Sequence, residues 1–148
     1  MESRPATLQQ LRDSGWKSKT IRQEIYDNFV ARLAAGDELF PGIVGYEDTI
    51  IPHIVNALLA RHHFILLGLR GQAKSRILRE LTSLLDERVP VVAGSEVNDD
   101  PFAPVSRHGR ELIMEHGDDA PIEWVHRSKR YGEKLATPDT SVGDLVGD

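Results

Sequence analysis

Phe64-Ile65-Leu66-Leu67-Gly68-Leu69-Arg70-Gly71-Gln72-Ala73-Lys74-Ser75-Arg76 is the stretch on which the reading of this chain turns. Four apolar residues, Phe64 to Leu67, read as a short buried strand, and Gly68 to Gly71 read as a loop. From Ala73 onward the spacing becomes helical, with Ile77, Leu78, Leu81, Leu84 and Leu85 recurring at helical intervals. Gly68 to Ser75 fits the pattern G-x-x-x-x-G-K-[ST] at every fixed position except the second glycine, which here is Ala73. The pattern has a physical rationale. Glycines let the backbone fold so that successive N–H groups point inward at phosphate oxygens, and the N-terminus of the next helix adds partial positive charge. Lys74 is expected to reach the β- and γ-phosphates, and the Ser75 hydroxyl to bind Mg²⁺. Alanine restricts positive φ, and it is expected to be tolerated at position 73 if that residue is already helical. The alternative is an ordinary strand-to-helix turn that happens to carry a lysine.

Working outward, a second apolar run from Val89 to Ala93 supplies the next strand. The order strand, loop, helix, strand predicts a parallel pair in an α/β sheet. Upstream, a helix is expected from Thr20 to Ala35, with Thr20 as N-cap and Gly36 beyond its end. Ile21, Ile25, Phe29 and Leu33 fall on one face of it, with Glu24, Asp27 and Arg32 turned away. Leu8 and Leu11 make a weaker helix that Gly15 stops, and Pro41-Gly42 is a turn before a helix through Ile50, Ile54, Leu58 and Leu59. After Gly94 the chain becomes polar: Asn98, Asp99, Asp100, Pro101 and Pro104 read as a loop. Arg110 to Glu115 reads as a helix, Gly117-Asp118-Asp119 as a break, and Ile122 to His126 as a strand. Val142, Leu145 and Val146 begin a last helical pattern.

The composition narrows the class. The chain has 148 residues, 40% of them hydrophobic, enough for one domain with a buried core. Its net charge of −5, from 18 basic and 23 acidic residues without a long single-sign block, does not imply a nucleic-acid surface. Absence of cysteine excludes disulfides, thiolate metal sites and cysteine nucleophiles, and fits a reducing compartment. The opening Met1-Glu2-Ser3-Arg4-Pro5 lacks the pattern of a secretory leader, and no apolar run is long enough to span a bilayer. A cytoplasmic location without membrane contact is therefore expected.

Three further groups carry residue types capable of chemistry. His62-His63 are adjacent on a helix and so diverge, which points to a structural or surface role. Glu96, Asp99 and Asp100 form an acidic group that reads as a solvated loop. His126-Arg127-Ser128-Lys129-Arg130 reads as a solvated basic strand end, beside a Trp124 expected in the core.

The run Phe40-Pro41-Gly42-Ile43-Val44-Gly45-Tyr46-Glu47-Asp48, followed at the usual distance by the strand and Gly68 to Arg76, resembles the opening of an AAA+ module. Within that class it is similar to bacterial ATPases of the magnesium chelatase subunit I-like or MoxR-like kind. Asn98 to Phe102 resembles a loop of the chelatase-like proteins, and Asp139 to Asp148 resembles the approach to the insertion in their second helix. The resemblance implies an α/β fold, a P-loop NTPase αβα core, with residues 39–148 as its front portion and residues 1–38 as an N-terminal helical extension. It implies ATP and Mg²⁺ as cofactors. Val44 and Gly45 are then base contacts, and Gly68, Leu69, Arg70, Gly71, Gln72, Ala73, Lys74, Ser75 and Arg76 hold the nucleotide. Lys74 is the catalytic clamp and Ser75 the metal ligand. The family continues with a third strand ending in Asp-Glu, sensor residues, an arginine finger and a helical lid, so the expectation is a fragment of a longer module. Rings are the working form of such ATPases, which implies a homo-oligomer acting on a protein partner. Two other readings stay open: a nucleotide-binding interaction module without turnover, and a P-loop phosphotransferase.

Overall fold

The computed structural model describes residues 4–69 and 71–147, apart from the side chain of Leu145. Met1 to Ser3, Arg70 and Asp148 lie outside the described residues. In chain order the elements are α1 (Leu8–Asp13), α2 (Ile21–Ala35), α3 (Ile50–Leu59), α4 (Lys74–Leu81), β1 (Arg88–Val92), α5 (Arg107–His116), β2 (Ile122–His126) and α6 (Gly143–Val146). Short 3₁₀ turns at Thr82–Leu84, Gly117–Asp119 and Arg127–Lys129 extend α4, α5 and β2. No helix among the described residues is long and apolar enough to cross a membrane.

Hydroxyl caps decide where three helices start. Thr7, Thr20 and Ser106 accept from the N–H groups of Gln10, Gln23 and Gly109, so α1, α2 and α5 each begin one residue after an oxygen that satisfies an otherwise orphaned donor. This cap sets the start of α5 at Arg107, three residues earlier than apolar spacing indicates. At the other end, Gly36 takes φ 74° and closes α2 in the left-handed conformation that glycine adopts most cheaply.

Apolar packing falls into two clusters. Phe29, Phe40, Ile43, Ile54, Leu58, Ile77 and Leu84 form the first, beneath α2, α3 and α4. The second gathers Leu8, Leu11, Ala120 and Ile122, with Trp16 and Trp124 against it. Main-chain bonds tie α1 to β2: Leu8 N–H donates to Ala120 O at 3.0 Å and Ile122 N–H to Ala6 O at 2.9 Å. Trp124 Nε1 donates to Pro5 O at 2.8 Å.

Hydrogen bonds bridge the two clusters. Arg130 grips Glu24 through Nη1 at 2.6 Å and Nη2 at 2.7 Å, and Asp86 N–H donates to Glu24 Oε1 at 2.7 Å. Arg127 reaches the carbonyls of Ser83 and Leu85 at 3.1 and 3.3 Å, and Arg32 donates to Ser83 O at 2.7 Å. The expected polarity of α2 is therefore corrected. Glu24 is only 4% exposed, whereas Ile21 and Leu33 stand in solvent, because the Arg130 guanidinium and the Asp86 amide supply partners that admit a carboxylate inside. The basic run is corrected likewise: Arg127 and Arg130 are structural ties, with the Arg130 side chain 13% exposed.

The sheet differs from expectation. β1 pairs with β2, antiparallel, with Arg88 opposite His126 and Val92 opposite Ile122. Phe64 to Leu67 joins no ladder among the described residues. Phe64 and Leu66 pack on the first cluster while Ile65 and Leu67 are 83% and 89% exposed, an alternation that fits a strand with one face covered. On β1, the edge turned from β2 is unsuited to a neighbour. Pro90 lacks an N–H there, and Val92 N–H is taken by Asp99 O at 3.0 Å.

Asp99 corrects a further expectation, that of a solvated acidic loop. It is 2% exposed and accepts at Oδ1 from Val105 N–H (2.7 Å) and Ser106 N–H (2.9 Å), and at Oδ2 from the Ser95 hydroxyl (2.9 Å) and the Ser106 hydroxyl. Burial pushes its pKa up, but the bonds from Ser106, Val105 and Ser95 outweigh that and hold it at about 2. Gly109 must be glycine beside this clasp, since a Cβ would lie 2.6 Å from Asp99 Oδ2 and 3.0 Å from Pro104 Cβ.

Candidate phosphate-binding loop

Gly68 to Ser75 runs from the exposed end of the Leu66-Leu67 segment into the first turn of α4. The helix is anchored by Ile77, fully buried in the first cluster, so the position of its N-terminus is set by packing. Ile77 N–H donates to Ala73 O at 2.9 Å, the first bond of the helix. The amides of Lys74, Ser75 and Arg76 precede that bond, and Ala73 has no side-chain acceptor to offer them. In this respect α4 differs from α1, α2 and α5, each of which closes its own N-terminus with a hydroxyl.

Two positive-φ residues on either side of Gln72 give the loop its turn. Gly71 takes φ 80°, which favours glycine, and Ala73 takes φ 56° and ψ 13°. The condition on which alanine is expected to be tolerated, a residue 73 already in the helical region, is not met. Its backbone is left-handed, the conformation that a glycine in the motif would adopt more cheaply. Gly68 is constrained differently: a Cβ there would stand 2.0 Å from Gln72 Oε1 and 3.8 Å from Lys74 Nζ, because both side chains fold back over it.

Lys74 Nζ donates to Gly68 O at 2.9 Å and also to Leu69 O, so the ammonium lies across the loop. Ser75 is exposed on the first helical turn, and Leu69 and Gly71 are exposed as well. Arg76 is drawn to the Pro41-Gly42 turn, with Nη2 3.5 Å from Pro41 O and too near Gly42 for any Cβ there, at 2.6 Å. Arg70, expected in the same set, lies outside the described residues.

The upstream run meets the loop through Tyr46, whose hydroxyl donates to Gln72 O at 3.3 Å. Reading the sequence assigns Tyr46 no role; the signal was its place next to Gly45 in the quoted run. Val44 and Gly45 sit on an exposed turn, Val44 at 84% exposure, and are not in contact with the loop through any hydrogen bond of the described residues. Glu47 orders this turn. Its carboxylate accepts from Gly45 N–H at 2.9 and 3.1 Å, and the N–H groups of Glu47 itself and of Gly45 hold its pKa below the ordinary value.

Elsewhere, His62 and His63 are exposed, with His63 Nε2 against Arg22 Nη2. Among the described residues no group of three or more His, Asp or Glu converges to hold a metal ion. Comparison with protein-family models, with curated proteins and with solved structures found no match to this chain.

Proposed function

We propose that this chain binds ATP with Mg²⁺ at Gly68 to Ser75, as the front portion of an AAA+ ATPase similar to magnesium chelatase subunit I-like or MoxR-like proteins. In that reading it belongs to a cytoplasmic, ring-forming homo-oligomer that uses hydrolysis to remodel a protein partner or to insert a metal into one. The observation that carries the reading is the head of α4. It begins without a side-chain cap, directly after a left-handed turn at Gly71 and Ala73, with the Lys74 ammonium folded across the same loop. Uncapped amides at a helix N-terminus are an anion site by geometry and by dipole.

The residues present fit the group. Lys74, Ser75 and Arg76 have amides at the head of the helix, and the Lys74 ammonium rests, among the described residues, on two carbonyls, which phosphate oxygens can replace. Ser75 is the hydroxyl for a divalent ion, and Tyr46 fixes the loop against the turn of Val44 and Gly45, assigned here to the base. Bound Mg²⁺ supplies neutralisation of charge on the β- and γ-phosphate oxygens. Gln72 must swing from Gly68 for phosphate to enter, since its carboxamide occupies that side of the loop.

A nucleotide-binding module without turnover is the second reading. It is favoured by one feature: among the described residues no carboxylate hydrogen-bonds to the loop.

Calorimetric titration with a non-hydrolysable Mg-ATP analogue, wild type beside Lys74→Ala, tests the binding. Saturable binding that the substitution weakens by about tenfold or more, the worth of a charge-assisted hydrogen bond, is expected. A folded wild type that does not bind refutes the assignment. Lys74-dependent phosphate release then separates the two readings.

A further inference from the structure

Behind the loop, the start of α2, the end of α3, Phe64 and the outer face of α4 line a half-open cavity of 280 Å³ whose apolar walls are Ile21, Ile25, Leu58, Phe64, Leu78 and Leu81. Ile21 and Leu78 are exposed, so this apolar surface is open to entry. It opens into a shallower depression that shares Arg22, Arg61, His62 and His63 with it. The floor is thus apolar and the rim basic.

The two guanidinium groups form no direct ion pair among the described residues, and Asp27 acts on Arg61 only at longer range. Among the described residues neither Arg22 nor Arg61 has a carboxylate within 4.0 Å. Arg22 Nη2 contacts His63 Nε2, and a guanidinium has no acceptor, so the imidazole nitrogen accepts. Arg61 Nη1 donates to Gln23 Oε1 at 2.7 Å, and its Cζ stands 4.7 Å from the centroid of the Tyr26 ring. Asp27, the acid one turn along α2 from Gln23, is held by Lys19 at 2.9 Å and by Gln23 at 2.7 Å.

Arg61 also occupies a position that its backbone disfavours. The ends of α2 and α3 form the same closure. Gly36 N–H donates to Leu33 O and Asp37 N–H to Arg32 O in one; Arg61 N–H donates to Leu58 O and His62 N–H to Ala57 O in the other. The left-handed residue is Gly36 at φ 74° in the first case and Arg61 at φ 57° in the second. Glycine meets this requirement at α2, so an arginine in the equivalent place is a strained choice that the closure does not need.

From this apolar cavity, its carboxylate-free pair of guanidiniums and the strained arginine beside it, we propose a site for a small amphiphilic anion. The ligand is an alkyl chain or ring, seated between Ile21 and Leu78, that ends in a carboxylate or phosphate held by Arg22 and Arg61. The cavity is on the size scale of a small-molecule pocket, and both its chemical halves match such a ligand. The site stands independently of nucleotide binding at the loop.

The test is calorimetric and NMR titration of the whole chain with sodium decanoate below its micelle threshold, with decyl phosphate and decan-1-ol alongside. The expected result is saturable binding of one decanoate or decyl phosphate per chain, with shifts at His62, His63 and Leu78, and decan-1-ol weaker by about tenfold or more. The tighter of the two anions identifies the head group. Arg22→Gln with Arg61→Gln should weaken anion binding by about tenfold or more, and Leu78→Trp should fill the cavity and abolish it. Arg61→Gly is the discriminating variant: it should lower affinity without lowering the melting temperature, because glycine suits the left-handed position. No saturable binding by folded wild type, equal binding of decan-1-ol, or unchanged affinity in the double variant would each overturn the proposal. So would a decanoate-insensitive dimer dispersed by Leu78→Arg, which would assign this face to a second copy.

Discussion

Ala73 holds φ 56° and ψ 13° at the head of α4, and Ala57 lies inside α3. The same substitution, alanine to glycine, should therefore act with opposite sign at the two sites. A left-handed backbone costs an L-residue roughly 1–2 kcal/mol, and glycine removes that cost at position 73. Against this stands the greater freedom of glycine in the unfolded chain, roughly 0.5–1 kcal/mol, leaving a net stabilisation of about 0.5–1 kcal/mol. An unfolding entropy of about 2.1 cal/mol/K per residue amounts, for a domain of this length, to about 0.3 kcal/mol/K. Ala73→Gly should thus raise the melting temperature by about 2–3 °C, and Ala57→Gly, which gains no backbone relief, should lower it by about 3 °C. Scanning calorimetry of wild type and the two variants measures both. If Ala73→Gly lowers the midpoint as Ala57→Gly does, residue 73 is right-handed and the description of the loop's turn is refuted. The motif carries glycine at this position, so the stabilised variant should bind the Mg-ATP analogue at least as well as wild type.

Two further predictions concern the groups that fasten the frame around the loop. Glu24→Gln leaves the Arg130 guanidinium, 13% exposed in the wild type, without its paired carboxylate and with Asp86 as its remaining negative neighbour, and should destabilise by about 3 kcal/mol in urea unfolding, whereas Glu24→Leu with Arg130→Met should cost far less. Equal losses from both would show that the seam depends on shape and not on charge. Asp99, at about 2 when folded against 3.8 ordinarily, contributes about 2 kcal/mol above pH 5 that fades as pH falls through 4 toward 2. Asp99→Asn should remove that part of the acid dependence along with the stability, and an unchanged slope of stability against pH between 5 and 2 would count against the clasp.

Much of the frame was legible because it depends on local rules. Thr20 and Gly36 bound α2 by capping and by left-handed closure, and the spacing of Ile50, Ile54 and Leu58 marks α3 without reference to the rest of the chain. Ile122 to His126 carries strand character in its own residues and forms β2. The loop was legible for the same reason, since Gly68, Lys74 and Ser75 lie within eight consecutive residues and their relation is set by one turn and one helix. What failed were statements about partners. Nothing near Glu24 in the chain announces that Arg130 will meet it, so a charged residue read as solvent-facing; the same holds for Asp99 until Ser106 closes over it.

The amino-acid sequence by itself determined the Thr20 cap and Gly36 closure of α2, the presence of the main helices, the place of β2 and the order of the residues in the loop, because each follows from interactions within a few residues. Tertiary structure alone decided that Arg88 to Val92 pairs antiparallel with Ile122 to His126 and not with Phe64 to Leu67, and that the acids Glu24 and Asp99 lie inside. It also decided that the hydroxyl of Tyr46 meets Gln72, 26 residues away. Pairing and burial are choices among distant partners: a strand's hydrogen bonds and a carboxylate's desolvation are satisfied by groups whose proximity only the packed chain creates.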